Sequence, residues 1–142
     1  MRVYIAAPWS HKADALAAKQ QFEAAGCEVT AHWIIRESIL EYDDLTKPEH
    51  KDECTEQAQL DVADILQSDV FVILNLALSE GKATEMGIAY ALGIPIILVG
   101  DLSRNLFYRL PGVYRADSVE AAVEGVKLGA GLAVIPSTVE VN

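Results

Sequence analysis

The sequence is poor in basic residues. Among its 142 residues, 11 are Lys or Arg and 21 are Asp or Glu, so the formal net charge at pH 7 is −10. A groove for polymeric nucleic acid needs a basic stripe that neutralises phosphates, and no cluster of Lys and Arg occurs here. The charge balance argues against a nucleic acid polymer as partner, although backbone N–H groups can still hold one small nucleotide.

Cysteine is scarce as well. Cys27 and Cys54 stand apart, without CxxC spacing or a nearby pair of histidines, so we expect two reduced thiols. No apolar run approaches the roughly 18 residues of a membrane span, and the N-terminus has no charged region followed by an apolar core. These absences predict a cytoplasmic protein that does not contact a membrane.

Several catalytic and binding motifs are missing. There is no GxGxxG after the first predicted strand and no GxxxxGK[ST], so neither dinucleotide nor P-loop chemistry is supported. HExxH, GxSxG and a paired His–Cys cluster are also absent, and the three histidines are scattered. We therefore predict neither a cofactor nor a metal site.

The most regular stretch runs from residue 69 to residue 100. Val70–Leu74 and Ile94–Val99 are short apolar runs rich in β-branched residues, which is typical of strands buried on both faces. The helix between them ends at Gly93, since glycine adopts the left-handed cap conformation without strain. Such a βαβ unit makes the two strands parallel, so the loop Ala77–Thr84 lies at the carboxyl edge of the sheet. Glu85 is predicted to begin the helix at that edge.

The N-terminal part repeats this pattern. Arg2–Ala7 predicts a strand, Ser10 is a candidate N-cap of the next helix, Gly26 ends that helix, and Glu28–Thr30 predicts a second strand that extends at most to Trp33. Strands that alternate with helices predict one α/β domain with a flavodoxin-like, Rossmann-like doubly wound sheet of five parallel strands, flanked by helices. We place this domain at residues 1–130 and a C-terminal tail at 131–142.

The segment between the second strand and the next helix is irregular. Residues 36–53 are rich in charge and lack apolar periodicity, which fits either a binding loop or a solvated surface excursion. The helix predicted at Glu53–Gln67 has one apolar face at about 100° per residue: Ala58, Val62, Ile65 and Leu66. Asp61 falls on the border of that face, where partial burial would raise its pKa, and Asp64 falls further toward solvent.

The C-terminal part adds a loop at the same sheet edge, residues 100–105, followed by the apolar run Leu106–Tyr108, which we expect to be exposed. Val113–Arg115 predicts a short last strand. Asp117 and Glu120 have capping-box spacing before an amphipathic last helix.

A carboxylate at the mouth of the sheet is the remaining candidate for chemistry. At a helix start, Glu85 would be kept ionised by the helix dipole and by free backbone N–H groups. The same position also suits an acid that merely complements the dipole, and the spacing alone leaves both interpretations open.

Four segments carry a resemblance to a known family: VYIAAPWS, LDVADILQSDVFVI, SEGKATEMGIAYALGIPIILVG and RNLFYRLPGV. In this order they resemble the nucleoside 2-deoxyribosyltransferase family, which includes the 2'-deoxynucleoside 5'-phosphate N-hydrolases, over nearly the whole chain. The resemblance implies cleavage of the N-glycosidic bond of a (2'-deoxy)nucleoside 5'-monophosphate or nucleoside, through a glycosyl-enzyme intermediate that water resolves, and without a cofactor.

The resemblance also implies roles for individual residues. The family's nucleophilic glutamate falls on Glu85, its helical aspartate on Asp61, and its first-strand tyrosine, which orients the glutamate, on Tyr4. Asp61 would share a proton with the departing base or hold the sugar hydroxyls. An asparagine that reaches the neighbouring subunit's site falls on Asn105, which implies a homodimer or larger homo-oligomer. The implied substrate contacts are Ala7, Trp9, Ser10, Ser79, Gly81 and Asn105.

Ser79 bears on the substrate. The phosphate-hydrolysing relatives carry a serine here and the transferases an aspartate, so Ser79 favours a 5'-phosphorylated substrate and hydrolysis over base exchange. The arginine of the phosphate-binding relatives is missing from Pro8-Trp9-Ser10, and its candidate substitutes are Ser10, Lys82 and Arg104. Two further hypotheses stay open at this point, a nucleotide-binding sensor without turnover and an interaction protein with a vestigial pocket.

Overall fold

The computed structural model describes residues 1–37, 40–101 and 105–128. Within them lies one sheet of five parallel strands in the order β2-β1-β3-β4-β5, which confirms the predicted α/β class. The strands are β1 Arg2–Ala6, β2 Glu28–Val29, β3 Val70–Leu74, β4 Ile96–Val99 and β5 Val113–Ala116. From β1 the chain adds β2 on one side of the sheet, and β3, β4 and β5 on the other side. Ligands bind in the crevice that forms at such a switch point, outside the carboxyl ends of β1 and β3.

Four α-helices cover the sheet within the described residues: α1 Lys12–Ala24, α2 Lys51–Leu66, α3 Glu80–Ala91 and α4 Val119–Lys127. Helix α1 packs against α4, and α2 packs against α3, so the helices form two layers around the sheet. Short 3-10 turns complete the described secondary structure, at Trp9–His11, His32–Ile34, Tyr42–Thr46, Pro48–His50 and Leu106–Arg109.

The core lies on both faces of the central strands. Every residue of β3 is buried, as its run of β-branched residues predicts. Tyr4 of β1 is paired in register with Phe71 of β3, and the two rings stack at a centroid distance of 5.2 Å. This stacking fixes the Tyr4 ring inside the sheet, with its hydroxyl directed out of it toward α3.

The start of α3 differs from the prediction. The helix begins at Glu80, with Ser79 as its N-cap, and the Ser79 hydroxyl accepts a hydrogen bond from the Lys82 N–H at 3.2 Å. Glu85 therefore lies in the second turn, and the prediction that it begins the helix is wrong. The physical reason is that the Ser79 side chain already satisfies a free N–H at the helix start.

Two other predicted caps are wrong by one residue. Helix α1 follows His11, because Ser10 lies inside the 3-10 turn that precedes the helix. Helix α4 is capped by Ser118, whose hydroxyl accepts from the Ala121 N–H at 3.1 Å, rather than by Asp117. Strand β2 ends at Val29, and the chain reaches Trp33 through a 3-10 turn.

The buried face of α2 also differs from the prediction. Val62 and Leu66 are exposed, whereas Asp64 is buried together with Ile65. Asp64 accepts from the His32 backbone N–H at 2.9 Å and pairs with His32 Nδ1 at 2.8 Å. These hydrogen bonds compensate the loss of solvation, so a carboxylate occupies a position that periodicity assigned toward solvent.

Parts of the predictions fall on residues that the structure does not describe. Arg104, the domain boundary at 130 and the tail at 131–142 lie outside the described residues, so these remain predictions. In the described part, no helix is long and apolar enough to span a bilayer. Cys27 and Cys54 are free thiols.

Candidate active site

Tyr4 and Glu85 form the centre of the candidate site. Tyr4 is fully buried in β1, and its Oη donates a hydrogen bond to Oε2 of Glu85. Glu85 is half-buried on the sheet-facing side of α3, near the carboxyl ends of the strands. A rigid tyrosine thus sets the direction of a carboxylate at the edge where open α/β sheets bind ligands.

Glu85 holds its proton more tightly than an ordinary glutamate. Burial raises its pKa to about 7, and the negative charge of Asp61 also acts to raise it, while the Tyr4 hydrogen bond and the charge of Arg36 act in the opposite direction. The expectation that the helix dipole keeps Glu85 ionised is wrong. Glu85 lies one turn inside α3, away from the free N–H groups whose partial charges act mainly in the first turn.

Asp61 lies beside this pair and is held by an arginine. Arg36 donates from Nη2 to Oδ1 of Asp61 at 2.9 Å, and the two side chains are only 17% and 26% exposed. Burial raises the pKa of Asp61, the nearby Asp64 adds to this, and Arg36 partly offsets both. Arg36 was not among the predicted site residues, because no motif or spacing singles out one arginine in an irregular, charged segment.

Gly81 adjoins both the Glu85 carboxylate and the Ser79 hydroxyl. A Cβ atom built on Gly81 would lie 3.8 Å from Oγ of Ser79 and 3.9 Å from Oε1 of Glu85. The missing side chain at Gly81 therefore leaves open the space beside these two groups. Of the predicted substrate contacts, Gly81 borders Glu85, and Ser79 borders Gly81.

A cavity of about 450 Å³ opens on the Ser79 side of the site. We call it the Lys82 cavity; its lining includes Asn75, Ser79, Glu80, Lys82, Asp101 and Tyr108. Lys82 is 3% exposed and donates from Nζ to Oδ1 of Asn75 at 2.7 Å and to the Ala77 carbonyl oxygen at 2.8 Å. Burial lowers the pKa of Lys82, and both of these acceptors are uncharged.

Asn105 also lines the Lys82 cavity of its own chain. Its Oδ1 accepts from the Phe107 N–H at 3.0 Å and caps the 3-10 turn that follows. Tyr108 is buried and donates from Oη to Asn75 at 3.2 Å, so the expectation of an exposed run holds for Leu106 and Phe107 and fails for Tyr108. The tyrosine turns inward because its hydroxyl finds an acceptor in the cavity wall.

A second cavity, of about 690 Å³, is formed largely by the irregular segment after β2. We call it the Trp9 cavity; it is lined by Trp9, Leu40, Glu41, Tyr42, Asp43, Leu45, Cys54 and Gln57. The predicted contact Trp9 thus lies here rather than beside Ser79. Ser10 is exposed and lines neither cavity, and Ala7 is half-buried directly after β1.

Neither Glu85 nor Gly81 lines either cavity. A Cβ atom on Gly81 would approach both Ser79, which lines the Lys82 cavity, and Glu85. On the other side, Gln57 lines the Trp9 cavity one helical turn before Asp61, and the charge of Asp61 acts on Glu85.

Metal ligation has no support in the described part of the chain, where no group of three or more His, Cys, Asp or Glu side chains is placed to hold an ion. The predicted absence of a cofactor remains a prediction. The chemistry open to this site is that of carboxylates and a neutral phenol.

Comparisons with known proteins agree with the fold and the resemblance. The family model described as nucleoside 2-deoxyribosyltransferase matches residues 3–134. The fold is similar to that of the CMP N-glycosidase BcmB from Clostridium botulinum, with 21% identity, TM-score 0.58, and 90% of this chain and 99% of that chain covered.

It is also similar to the 2-deoxyribosyltransferase of the psychrotolerant bacterium Bacillus psychrosaccharolyticus, with 19% identity, TM-score 0.65 and 96% of each chain covered. No curated protein sequence gives a significant match.

Proposed function

Because this chain belongs to the nucleoside 2-deoxyribosyltransferase family, we propose that it cleaves the N-glycosidic bond of a nucleoside 5'-monophosphate, with Glu85 as the nucleophile. One observation carries the proposal above all others. The Glu85 carboxylate is half-buried, is oriented by the Tyr4 hydroxyl, and lies next to Gly81, which in turn adjoins Ser79 in the lining of the Lys82 cavity.

The reaction follows from the chemistry of a directed carboxylate. An Oε atom of ionised Glu85 forms a bond to C1' of the sugar while the bond from C1' to the base nitrogen breaks, and the base leaves with the electron pair. The product is a glycosyl ester on Glu85. Water then attacks C1' from the side that the base has left, releases the carboxylate, and gives a sugar with net retention of configuration.

The two neighbours of Glu85 have complementary roles in this proposal. Burial and the nearby carboxylates raise the pKa of Tyr4, so its hydroxyl keeps its proton and stays a hydrogen-bond donor. Asp61, which Arg36 holds beside this pair, would share a proton with the departing base or bind the sugar hydroxyls. Since Glu85 must be ionised, activity should rise with pH through about 7, the pKa of that carboxyl.

The two cavities suggest which end of the substrate lies where. The Lys82 cavity offers a buried ammonium and the Ser79 hydroxyl, both suitable for a 5'-phosphate, at the N-terminus of α3. The Trp9 cavity offers the exposed rings of Trp9 and Tyr42, on which a base can stack. The sugar would then lie across Gly81, beside Glu85.

Hydrolysis is proposed ahead of base exchange because of Ser79. A serine in place of the transferases' aspartate removes a carboxylate that would contact an incoming base. Base exchange by a nucleoside deoxyribosyltransferase remains the alternative, and the two are separated by adding a second free base to the assay. New nucleoside that contains this base would show transfer.

We also propose a homodimer or higher homo-oligomer. Leu76, Leu78, Leu106 and Phe107 are exposed, and all four lie in or beside the segments that line the Lys82 cavity. Such a group of exposed apolar side chains favours an interface, which would bring Asn105 near a neighbouring site. Light scattering that gives a monomer, with specific activity unchanged on dilution, would contradict this arrangement.

The decisive experiment replaces the nucleophile. Glu85→Gln keeps the size of the side chain and the Tyr4 hydrogen bond, so the fold should persist while base release falls by about a thousandfold or more. Base release from a panel of nucleosides and 5'-monophosphates is followed by HPLC, with Glu124→Gln on α4 as the matched control. Mass spectrometry of acid-quenched enzyme should show the sugar-phosphate adduct on the wild type and not on Glu85→Gln.

Wild-type turnover by Glu85→Gln would exclude the mechanism. Nucleotide binding by the wild type without any base release over hours would instead support a sensor that has a pocket and no turnover.

A further inference from the structure

Arg36 is the charged side chain of the site for which the proposed mechanism has no role. It reaches Asp61 at 2.9 Å, and both side chains are largely removed from solvent. An ion pair in such a place stabilises little by itself, because the loss of solvation offsets much of the attraction. Its position beside two carboxyl groups calls for a different explanation.

The backbone around Arg36 is held at several points. Asp64 accepts from the His32 N–H at 2.9 Å and pairs with its ring at 2.8 Å, which fixes the start of the 32–36 segment. Lys12 donates from Nζ to the carbonyl oxygen of Arg36, and its ammonium also lies 4.5 Å from the centre of the Trp9 ring. The 32–36 segment, which carries the guanidinium that binds Asp61, is therefore anchored at both ends.

The charged and titratable groups around Asp61 come from four parts of the chain. Helix α3 contributes Glu85, α2 contributes Asp61 and Asp64, β1 contributes the Tyr4 hydroxyl, and the 32–36 segment contributes Arg36. Two carboxylates close together in a poorly solvated space cannot both ionise easily. The positive charge of Arg36 lowers the pKa of both Asp61 and Glu85.

We propose that Arg36 is a positioning residue, which holds Asp61 in place and keeps a positive charge beside the carboxyl groups of the site. This inference rests on the proposed function, because it assigns Arg36 to the same carboxylate pair. Arg36 acts through Asp61 and Glu85.

The test measures ionisation directly and needs no substrate. Carbon-13 NMR of protein labelled in its glutamate carboxyl carbons follows the titration of Glu85, which is assigned by its loss in Glu85→Gln. In an Asp61→Asn background, adding Arg36→Met should raise the midpoint of Glu85 by about half a pH unit or more, since the cation is lost. Arg36→Lys retains a cation and should move the midpoint less.

A matched control removes a cation elsewhere. Arg2 pairs with Asp69 at 3.8 Å on the exposed surface, so Arg2→Met changes the net charge equally and should leave the Glu85 midpoint in place. If Arg36→Met does not fold, as judged by thermal unfolding, Arg36→Gln and Arg36→Lys provide the same comparison. A Glu85 midpoint that is the same with Arg36 present and with Arg36 replaced would overturn the inference.

Activity gives a second, separable result. The acid limb of the kcat/KM profile of Arg36→Met should move to higher pH by a similar amount, whereas a merely structural loss would lower the whole profile without moving it. If the wild type releases no base while the NMR midpoints still shift as expected, the proposed function fails and the charge role of Arg36 stands. Base release with unshifted midpoints would instead support the proposed function and overturn the charge role of Arg36.

Discussion

The Lys82 cavity and the Trp9 cavity differ in charge and in construction. The Lys82 cavity has a buried ammonium whose two acceptors are uncharged, together with Glu80 and Asp101 in its lining. Among the described residues that line the Trp9 cavity there is no cation, and its charged groups are Glu41 and Asp43. The lining of the Lys82 cavity therefore offers a dianionic phosphate a cation, whereas the charged side chains in the lining of the Trp9 cavity are both acidic.

Their construction differs as much. The Lys82 cavity is lined by the loops that follow β3 and β4, by the capped start of α3, and by the 3-10 turn after Asn105. The Trp9 cavity includes 3-10 turns held by local ion pairs, such as Lys47 with Asp44 at 2.7 Å. Recognition of the phosphate would thus be built beside the ends of the central strands, and recognition of the base on a segment whose sequence can change with little effect on the sheet.

The largest effect on substrate binding should come from Lys82→Met, which removes the buried cation of the Lys82 cavity. A charge-assisted hydrogen bond contributes about 1.5–3 kcal/mol, so KM for a 5'-monophosphate should rise by roughly 10- to 100-fold while the corresponding nucleoside is little affected. Steady-state kinetics with nucleoside and monophosphate pairs measures the difference. Lys127→Met on α4 is the control, and an equal loss for both substrates would rule out a phosphate contact.

A smaller effect is expected at Gly81, next to the Glu85 carboxylate. The methyl group of Gly81→Ala would meet Ser79 and Glu85 at ordinary contact distances, so the free protein should fold normally and gain some helix stability. A sugar beside Glu85 would meet this methyl group, and base release should fall by about tenfold. Gly87→Ala on the same helix is the matched control, because a Cβ there meets nothing within 4 Å.

If Gly81→Ala and Gly87→Ala keep equal activity, the sugar does not pass Gly81. Thermal unfolding of both variants should show that neither loses stability, so a loss of activity at Gly81 alone would be steric.

The smallest effect should appear in the choice of base. Gln57 donates its amide N–H to Glu53 at 3.3 Å, so the side chains of Gln57, Glu41 and Asp43 mainly present hydrogen-bond acceptors to the Trp9 cavity. We expect bases with an exocyclic amino group to be preferred over their oxo counterparts. Asp43→Asn should reduce that preference by about three- to tenfold in kcat/KM, as measured with cytosine and uracil substrates. Asp52→Asn serves as the control, and an unchanged ratio would remove Asp43 from recognition.

Local sequence patterns predicted the bounds of an element correctly where one physical factor determines them. The bounds of β3 agree with its prediction, because five consecutive large apolar residues can only be satisfied inside the sheet. Gly93 ends α3 with a φ of 72°, as expected of a glycine cap. The start of α3 was misplaced since Ser79 and Glu85 both resemble helix-start residues, and only the observed hydrogen bond decides between them.

Periodicity failed for α2, where burial of a charge outweighed burial of apolar surface. The helix turns Asp64 inward because His32 supplies two hydrogen-bond donors, and this leaves Leu66 in solvent. A pattern within one helix contains no information about a partner 32 residues away.

The amino-acid sequence by itself determined the parallel sheet, the edge at which a ligand would bind and the carboxylate that lies there, because hydrophobic runs and βαβ connections are local features. Only the tertiary structure decided that Arg36 pairs with Asp61 and that Glu85 has a raised pKa, and it shows the Tyr4–Glu85 hydrogen bond that the resemblance implied. Burial and the distances between charges arise from segments that are remote in the chain, and these quantities set the proton affinity of a carboxyl group.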